Sequence, residues 1–114
     1  MIVAGVQMQC GPSRADNVAR ALRFVEDAAQ QGARLICLQE IFATEFFPCV
    51  VDRKFFAMAE PVTGETMASL RAAAKRLNVW ILAGLFERDP DISGRFYNAA
   101  VLLDPQGATA GLYR

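Results

Sequence analysis

Two short apolar runs on either side of one amphipathic stretch set the narrowest limit on what this chain can fold into. Ile2-Val3-Ala4-Gly5-Val6-Gln7-Met8 is mostly apolar, the pattern of a strand buried on both faces. Gly11-Pro12 breaks it. Ser13 then stands ahead of Asp16 in a capping-box-like start, with Asp where Glu is usual. Val18, Ala21, Leu22, Val25, Ala28 and Ala29 recur at helical spacing, while Arg20, Arg23, Glu26, Asp27 and Gln30 occupy the other side. Such a helix lays one stripe on a sheet. Gly32 is its natural stop, free to take the left-handed conformation. Leu35-Ile36-Cys37-Leu38 is the second buried strand, closed by Gln39-Glu40. Strand, helix and strand within about 40 residues make a βαβ unit, with parallel strands and a right-handed crossover.

The pattern continues along the chain. Residues 41–53 form an aromatic, irregular stretch that includes Phe42, Phe46, Phe47 and Pro48, too long for a plain turn. Asp52–Ala59 suits a short helix before Pro61. After Thr63-Gly64, Met67, Leu70, Ala74 and Leu77 repeat at helical spacing, and Asn78 can end that helix. Val79–Phe86 and Phe96–Leu103 read as further strands. Asp104-Pro105-Gln106-Gly107 reads as a turn into a last strand, Ala108–Tyr113. Repeats, linkers and low-complexity tracts are absent, so the whole reads as one α/β unit.

Composition excludes several function classes. The chain has 114 residues and no histidine. That removes Ser-His-Asp and Cys-His nucleophile systems and His-ligated zinc, and leaves chemistry to carboxylates, lysines or thiols. Twelve basic residues balance twelve acidic ones, which argues against nucleic acid or an acidic membrane as partner. The longest apolar runs, Val79–Phe86 and Ala99–Leu103, fall far short of the ~20 residues a bilayer span needs. The N-terminus shows no secretory signal pattern. Three widely spaced cysteines without a C-x-x-C read as free thiols, so a reducing, cytoplasmic setting is expected. The hydrophobic share is 54%, high enough that the apolar surface is either well buried or awaits a partner.

Glu40 stands out as a candidate catalytic residue. Open α/β sheets place their sites beyond the carboxyl ends of strands, where Glu40 falls. A carboxylate walled there by Phe42, Phe46 and Phe47 would be partly desolvated, which moves carboxyl groups toward the range of a general base. The alternative is a solvated carboxylate or a helix cap. Phe46, Phe47 and Pro48 either line a pocket mouth or pack the loop down. Cys37 reads as packing within a buried strand, and neither Cys10 nor Cys49 has a flanking base to activate it. Gln9-Cys10-Gly11-Pro12 offers one glycine where a phosphate cradle needs several, so nucleotide binding has little support.

Several motifs together resemble one family. They are Val6-Gln7-Met8, Asn17-Val18, the run Gly32–Glu40, and Phe46-Phe47-Pro48. Gly84-Leu85-Phe86-Glu87-Arg88, Tyr97-Asn98-Ala99-Ala100, Asp104-Pro105-Gln106-Gly107 and Tyr113-Arg114 complete the set. In collinear order over the whole chain they resemble the nitrilase superfamily of carbon–nitrogen hydrolases, most closely its N-carbamoyl amidase branches. The resemblance implies an α-β-β-α four-layer sandwich with a mixed sheet and covering helices. It also implies a Glu-Lys-Cys thiol mechanism acting on a small-molecule amide or N-carbamoyl substrate, with Glu40 as general base. Phe46 and Phe47, as residues of a pocket mouth, are the candidate substrate-binding residues. No metal or organic cofactor is implied, and a homo-oligomer is expected.

In the family the lysine follows a Tyr-Arg pair like Tyr113-Arg114, and the nucleophilic cysteine lies further on. None of Cys10, Cys37 and Cys49 matches its motif. Residues 1–114 are therefore expected to be the N-terminal portion of a single carbon–nitrogen hydrolase domain, inactive alone. The competing reading is a non-catalytic α/β module that associates through an apolar sheet face left bare.

Overall fold

The computed structural model describes residues 1–114. Strand β1 (Ile2–Gly5) leads to helix α1 (Arg14–Gln30), which returns the chain to β2 (Ala33–Cys37). Ser13 caps α1 as its spacing predicts, its side chain accepting from the Asp16 amide. Gly32 takes φ +90°, a conformation that costs a side-chain-free residue little, and so turns the chain out of the helix. A short 3₁₀ helix (Arg53–Met58), capped by Asp52, lies within the Asp52–Ala59 segment where the sequence predicts a helix.

Helix α2 (Glu65–Leu77) ends at Asn78 in the left-handed region, φ 54°. At its start Gly64 offers no side-chain cap. The buried Glu60 carboxylate takes that role instead, accepting from the amide and hydroxyl of Thr66. Strands β3 (Trp80–Arg88), β4 (Phe96–Leu103) and β5 (Thr109–Tyr113) complete the chain.

The sheet order is β1-β2-β3-β4-β5. Its first two pairings are parallel and its last two antiparallel, so the sheet is mixed. Two successive right-handed crossovers in the same direction put α1 and α2 on one face. There Ala21, Val25, Met67, Leu70 and Ala74 pack on Ile36, Ile81, Ala83, Val101 and Leu103 in a single core. The arrangement is an α/β fold with a mixed, helix-covered sheet, consistent with a nitrilase-like four-layer sandwich.

The opposite face is apolar and open. Leu35, Cys37, Leu82, Ala100 and Leu102 are only half-buried, and Trp80 and Tyr113 are exposed. One sequence expectation fails here. The first run is not a strand buried on both faces: β1 stops at Gly5, is the sheet's edge, and leaves Ile2 and Val3 exposed. An apolar run reports hydrophobicity, but only the pairing order decides whether a strand has one neighbour or two.

Candidate active site

Strand β2 carries the chain to Glu40. Its pairing with β3 continues one residue past the strand, where the Leu38 amide donates to the Leu82 carbonyl at 2.8 Å. Gln39 then turns its side chain toward the N-terminal segment: Oε1 accepts from the Met8 amide at 2.8 Å, and Nε2 lies 3.3 Å from Cys10 Sγ. Glu40 follows, and after it Ile41 sits at φ 41°. Positive φ is costly for a β-branched residue and persists only where surrounding contacts hold it.

Those contacts come from the buried side of the loop. Phe42 is 1% exposed and belongs to the helix-side core. Asn17, in the first turn of α1 and equally buried, donates from Nδ2 to the carbonyls of Gly11 (2.7 Å) and Ala43 (3.2 Å). Its Oδ1 accepts from the Gly11 amide at 2.9 Å, so one side chain ties both loops together.

Gly84 of β3 fits the same segment from the sheet side. A Cβ built there would stand 2.8 Å from both Glu40 Cα and Ile41 N. Only glycine lets the backbone carrying Glu40 approach β3 this closely. Two registers along β3, Phe86 pairs with Asn98 of β4. Asn98 Nδ2 donates to Glu40 Oε1 at 2.6 Å.

The Glu40–Asn98 pair stands between two clefts and lines both. One, of 270 Å³, is bounded by Cys37, Leu82, Gly84, Ala100 and Tyr113. The other, of 260 Å³, is bounded by Ile41, Phe47, Pro48, Phe86 and Phe96. A carboxylate with one oxygen hydrogen-bonded, opening on apolar clefts, can accept a proton from a bound group or deliver one to it.

The sequence-predicted residues fall differently around this pair. Phe47 lines the second cleft and also packs the loop down, stacked on Phe55 at 4.8 Å and against Phe86 at 4.9 Å. Phe86 and Phe96 continue the aromatic cluster, with centroids 5.7 Å apart. Phe46 is 58% exposed and lines neither cleft. The expected three-sided aromatic wall is therefore absent. Glu40 is exposed, Phe42 faces the opposite core, and only Phe47 stands beside the carboxylate.

Of the thiols, Cys37 lines the first cleft and Cys49 is exposed. Burial pushes the Cys10 thiol above its ordinary value, against a smaller opposing pull from the Arg20 charge. That favours the unreactive protonated form. No three His, Cys, Asp or Glu side chains gather as a metal site would require.

Beyond Glu40 lies an ion pair unseen in the sequence. The buried Glu87 accepts from Arg114 Nε at 2.7 Å and from Nη2 at 2.6 Å. The Arg114 guanidinium lies 4.4 Å over the Tyr97 ring. These hydrogen bonds hold the guanidinium's pKa above its ordinary value, fixing the end of β5.

Gly84 and Asn98 are the residues that sequence reasoning left without a role. A lone polar amide in the otherwise apolar strand Phe96–Leu103 is the signal that marks Asn98, and a glycine inside the apolar run Val79–Phe86 is the signal of a close backbone approach at Gly84; nothing local marks the strained Ile41.

Residues 2–114 match the family model described as carbon-nitrogen hydrolase. An N-carbamoylputrescine amidase of Solanum tuberosum is 35% identical over 113 residues, a match covering 98% of this chain and 37% of that protein. The omega-amidase NIT2 of Homo sapiens is 30% identical over 113 residues, covering 98% of this chain and 38% of that protein. Among solved structures, a carbon-nitrogen hydrolase from Helicobacter pylori G27 superposes with a TM-score of 0.88 at 29% identity, covering 97% of this chain and 38% of that one. The chain thus spans less than two-fifths of the length of these relatives, 37% and 38%.

Proposed function

The chain belongs to the carbon–nitrogen hydrolase family, and from that premise we propose that it supplies the general base of an enzyme hydrolysing non-peptide carbon–nitrogen bonds in small amides or N-carbamoyl compounds. Residues 1–114 are the N-terminal portion of one such domain, and Glu40 is the base. The observation that carries this reading is the place of Glu40. It follows a parallel strand, its backbone lies tight against Gly84, and its carboxylate is held by Asn98 between two clefts.

The chemistry follows from the Glu-Lys-Cys set that the resemblance implies. Glu40 takes the proton of a cysteine thiol as the sulfur attacks the carbonyl carbon. A lysine ammonium stabilises the oxyanion of the tetrahedral intermediate. Glu40 then protonates the leaving amine, and water releases the acyl or carbamoyl group from the thioester. None of the 114 residues matches the lysine or the cysteine, so the chain by itself is expected to be inactive. Within the family, the likeness to N-carbamoylputrescine amidases favours an N-carbamoyl amine as substrate, with Phe47 against it and Phe46 reaching it only if the loop rearranges.

Glu40→Gln in a subunit that also supplies the lysine and thiol tests the reading. It is expected to abolish ammonia release while leaving the unfolding transition in place; turnover at the wild-type rate would refute it. A second reading, association through the bare sheet face, is favoured by the exposure of Trp80 and Tyr113 there. It predicts a self-associating chain in sedimentation, and a monodisperse monomer would count against it.

A further inference from the structure

We infer that Asn98 is the positioning residue for Glu40, selecting which carboxylate oxygen meets the reacting proton. The inference rests on the assignment of Glu40 as general base and goes beyond it. Only Nδ2 of an asparagine can donate to a carboxylate, so the 2.6 Å contact to Glu40 Oε1 also fixes which way the Asn98 amide faces. With Oε1 engaged, Oε2 is left as the free proton acceptor. The donor is neutral, so it orients the carboxylate without placing a positive charge beside it; an arginine or lysine there would favour the ionised form and make Glu40 a weaker proton acceptor.

The geometry gives Asn98 this task independently of the hydrogen bond. Asn98 pairs with Phe86 across β3 and β4, and Gly84 lies two residues from Phe86 on the same face of the sheet. Gly84 locates the backbone of Glu40, and Ile41 at positive φ turns the chain away immediately after it. The backbone is thus fixed, while the Glu40 side chain is exposed and makes no other hydrogen bond within the chain. An exposed neutral-to-carboxylate bond does little for folding stability. Its orienting effect on the base is what remains.

The test uses the active enzyme that carries this chain. Ammonia release is followed with an aliphatic primary amide and with an N-carbamoyl alkylamine, beside the thermal midpoint of each variant. Asn98→Ala is expected to lower kcat about 10- to 100-fold, the scale set by misplacing a catalytic group by a fraction of an ångström to an ångström. KM and the thermal midpoint should stay near wild type. Asn98→Asp, which sets a like charge against Glu40, should lower kcat at least as far, and Asn98→Gln, which keeps the donor, should recover part of the loss. Wild-type kcat in Asn98→Ala, with Glu40→Gln inactive, overturns the inference alone. Turnover retained in Glu40→Gln removes the base assignment and the inference with it. A fall in kcat that only tracks a fall in thermal midpoint also overturns the inference, since it marks a structural role.

Discussion

Replacing Gly84 by alanine places one methyl group where the protein has backbone. The new Cβ would lie 2.8 Å from Glu40 Cα and Ile41 N and 3.1 Å from the Gln39 carbonyl oxygen. Carbon contacts settle at about 3.5–4.0 Å, so β3 and the 39–41 segment must part by about 1 Å. None of the obstructing atoms is a flexible side-chain end, and Ile41 is already strained, so the site cannot relax cheaply. Overpacking of this kind costs about 1–3 kcal/mol. Alanine recovers about 0.4–1 kcal/mol by restricting the unfolded chain. The net is a loss of roughly 1–2 kcal/mol, which at about 2.1 cal/mol/K per residue lowers the thermal midpoint by about 4–8 °C.

The control is Gly111→Ala in β5, where the nearest atom to a new Cβ is Leu102 Cβ at 3.7 Å, an ordinary contact. That variant is expected to melt at or slightly above the wild-type temperature. Differential scanning calorimetry of the three proteins decides the matter. Equal midpoints for Gly84→Ala and Gly111→Ala would refute the argument that Gly84 makes room for the backbone of Glu40. In an active enzyme the same 1 Å displacement is expected to lower turnover about 100-fold.

Three further outcomes follow from the geometry. Asn17→Ala leaves the Gly11 amide and the Gly11 and Ala43 carbonyls without their buried partner; a loss of about 3 kcal/mol in urea unfolding is expected. Asp89 accepts from the amides of Asp91 and Ile92 and from the Tyr97 hydroxyl. These bonds, the Asp91 amide first, hold its carboxyl below the usual range. Its contribution is therefore present above the ordinary carboxylate value and lost as pH falls through the lowered one. The midpoint gap between wild type and Asp89→Asn should accordingly be open at neutral pH and closed in strong acid, as thermal melts across pH will show. Timed alkylation read by mass spectrometry should label the exposed Cys49 well before Cys10, whose thiol is pushed up by burial. Equal labelling rates would contradict that ordering.

The legible parts of this fold are the local ones. Ser13 and Asp16 mark the start of α1, Gly32 and Asn78 mark the ends of helices, and Asp52 marks the short 3₁₀ helix, because caps and turns are settled by a few neighbouring atoms. Phe96–Leu103 emerges with the same bounds in sequence and structure. The misread element is β1, whose apolar run conceals an edge position. The aromatic wall around Glu40 is misread for a related reason. Phe42, Phe46 and Phe47 are neighbours in the chain, yet one faces the helix-side core, one faces solvent and one lines a cleft. Spacing within an irregular loop carries no period from which a facing direction can be read.

Chain-local chemistry suffices for the βαβ start, the one-sided amphipathic helices and the carboxylate at the end of the second strand. Apolar periodicity and capping chemistry are properties of neighbours along the chain, and the motifs that resemble carbon–nitrogen hydrolases lie in linear order. Tertiary structure alone decided how that carboxylate is held. Asn98 is 58 residues from Glu40, and Gly84 meets it only because β3 lies beside β2. Strand order and register bring those atoms within 3 Å, and both depend on how the whole core closes rather than on any local run of residues.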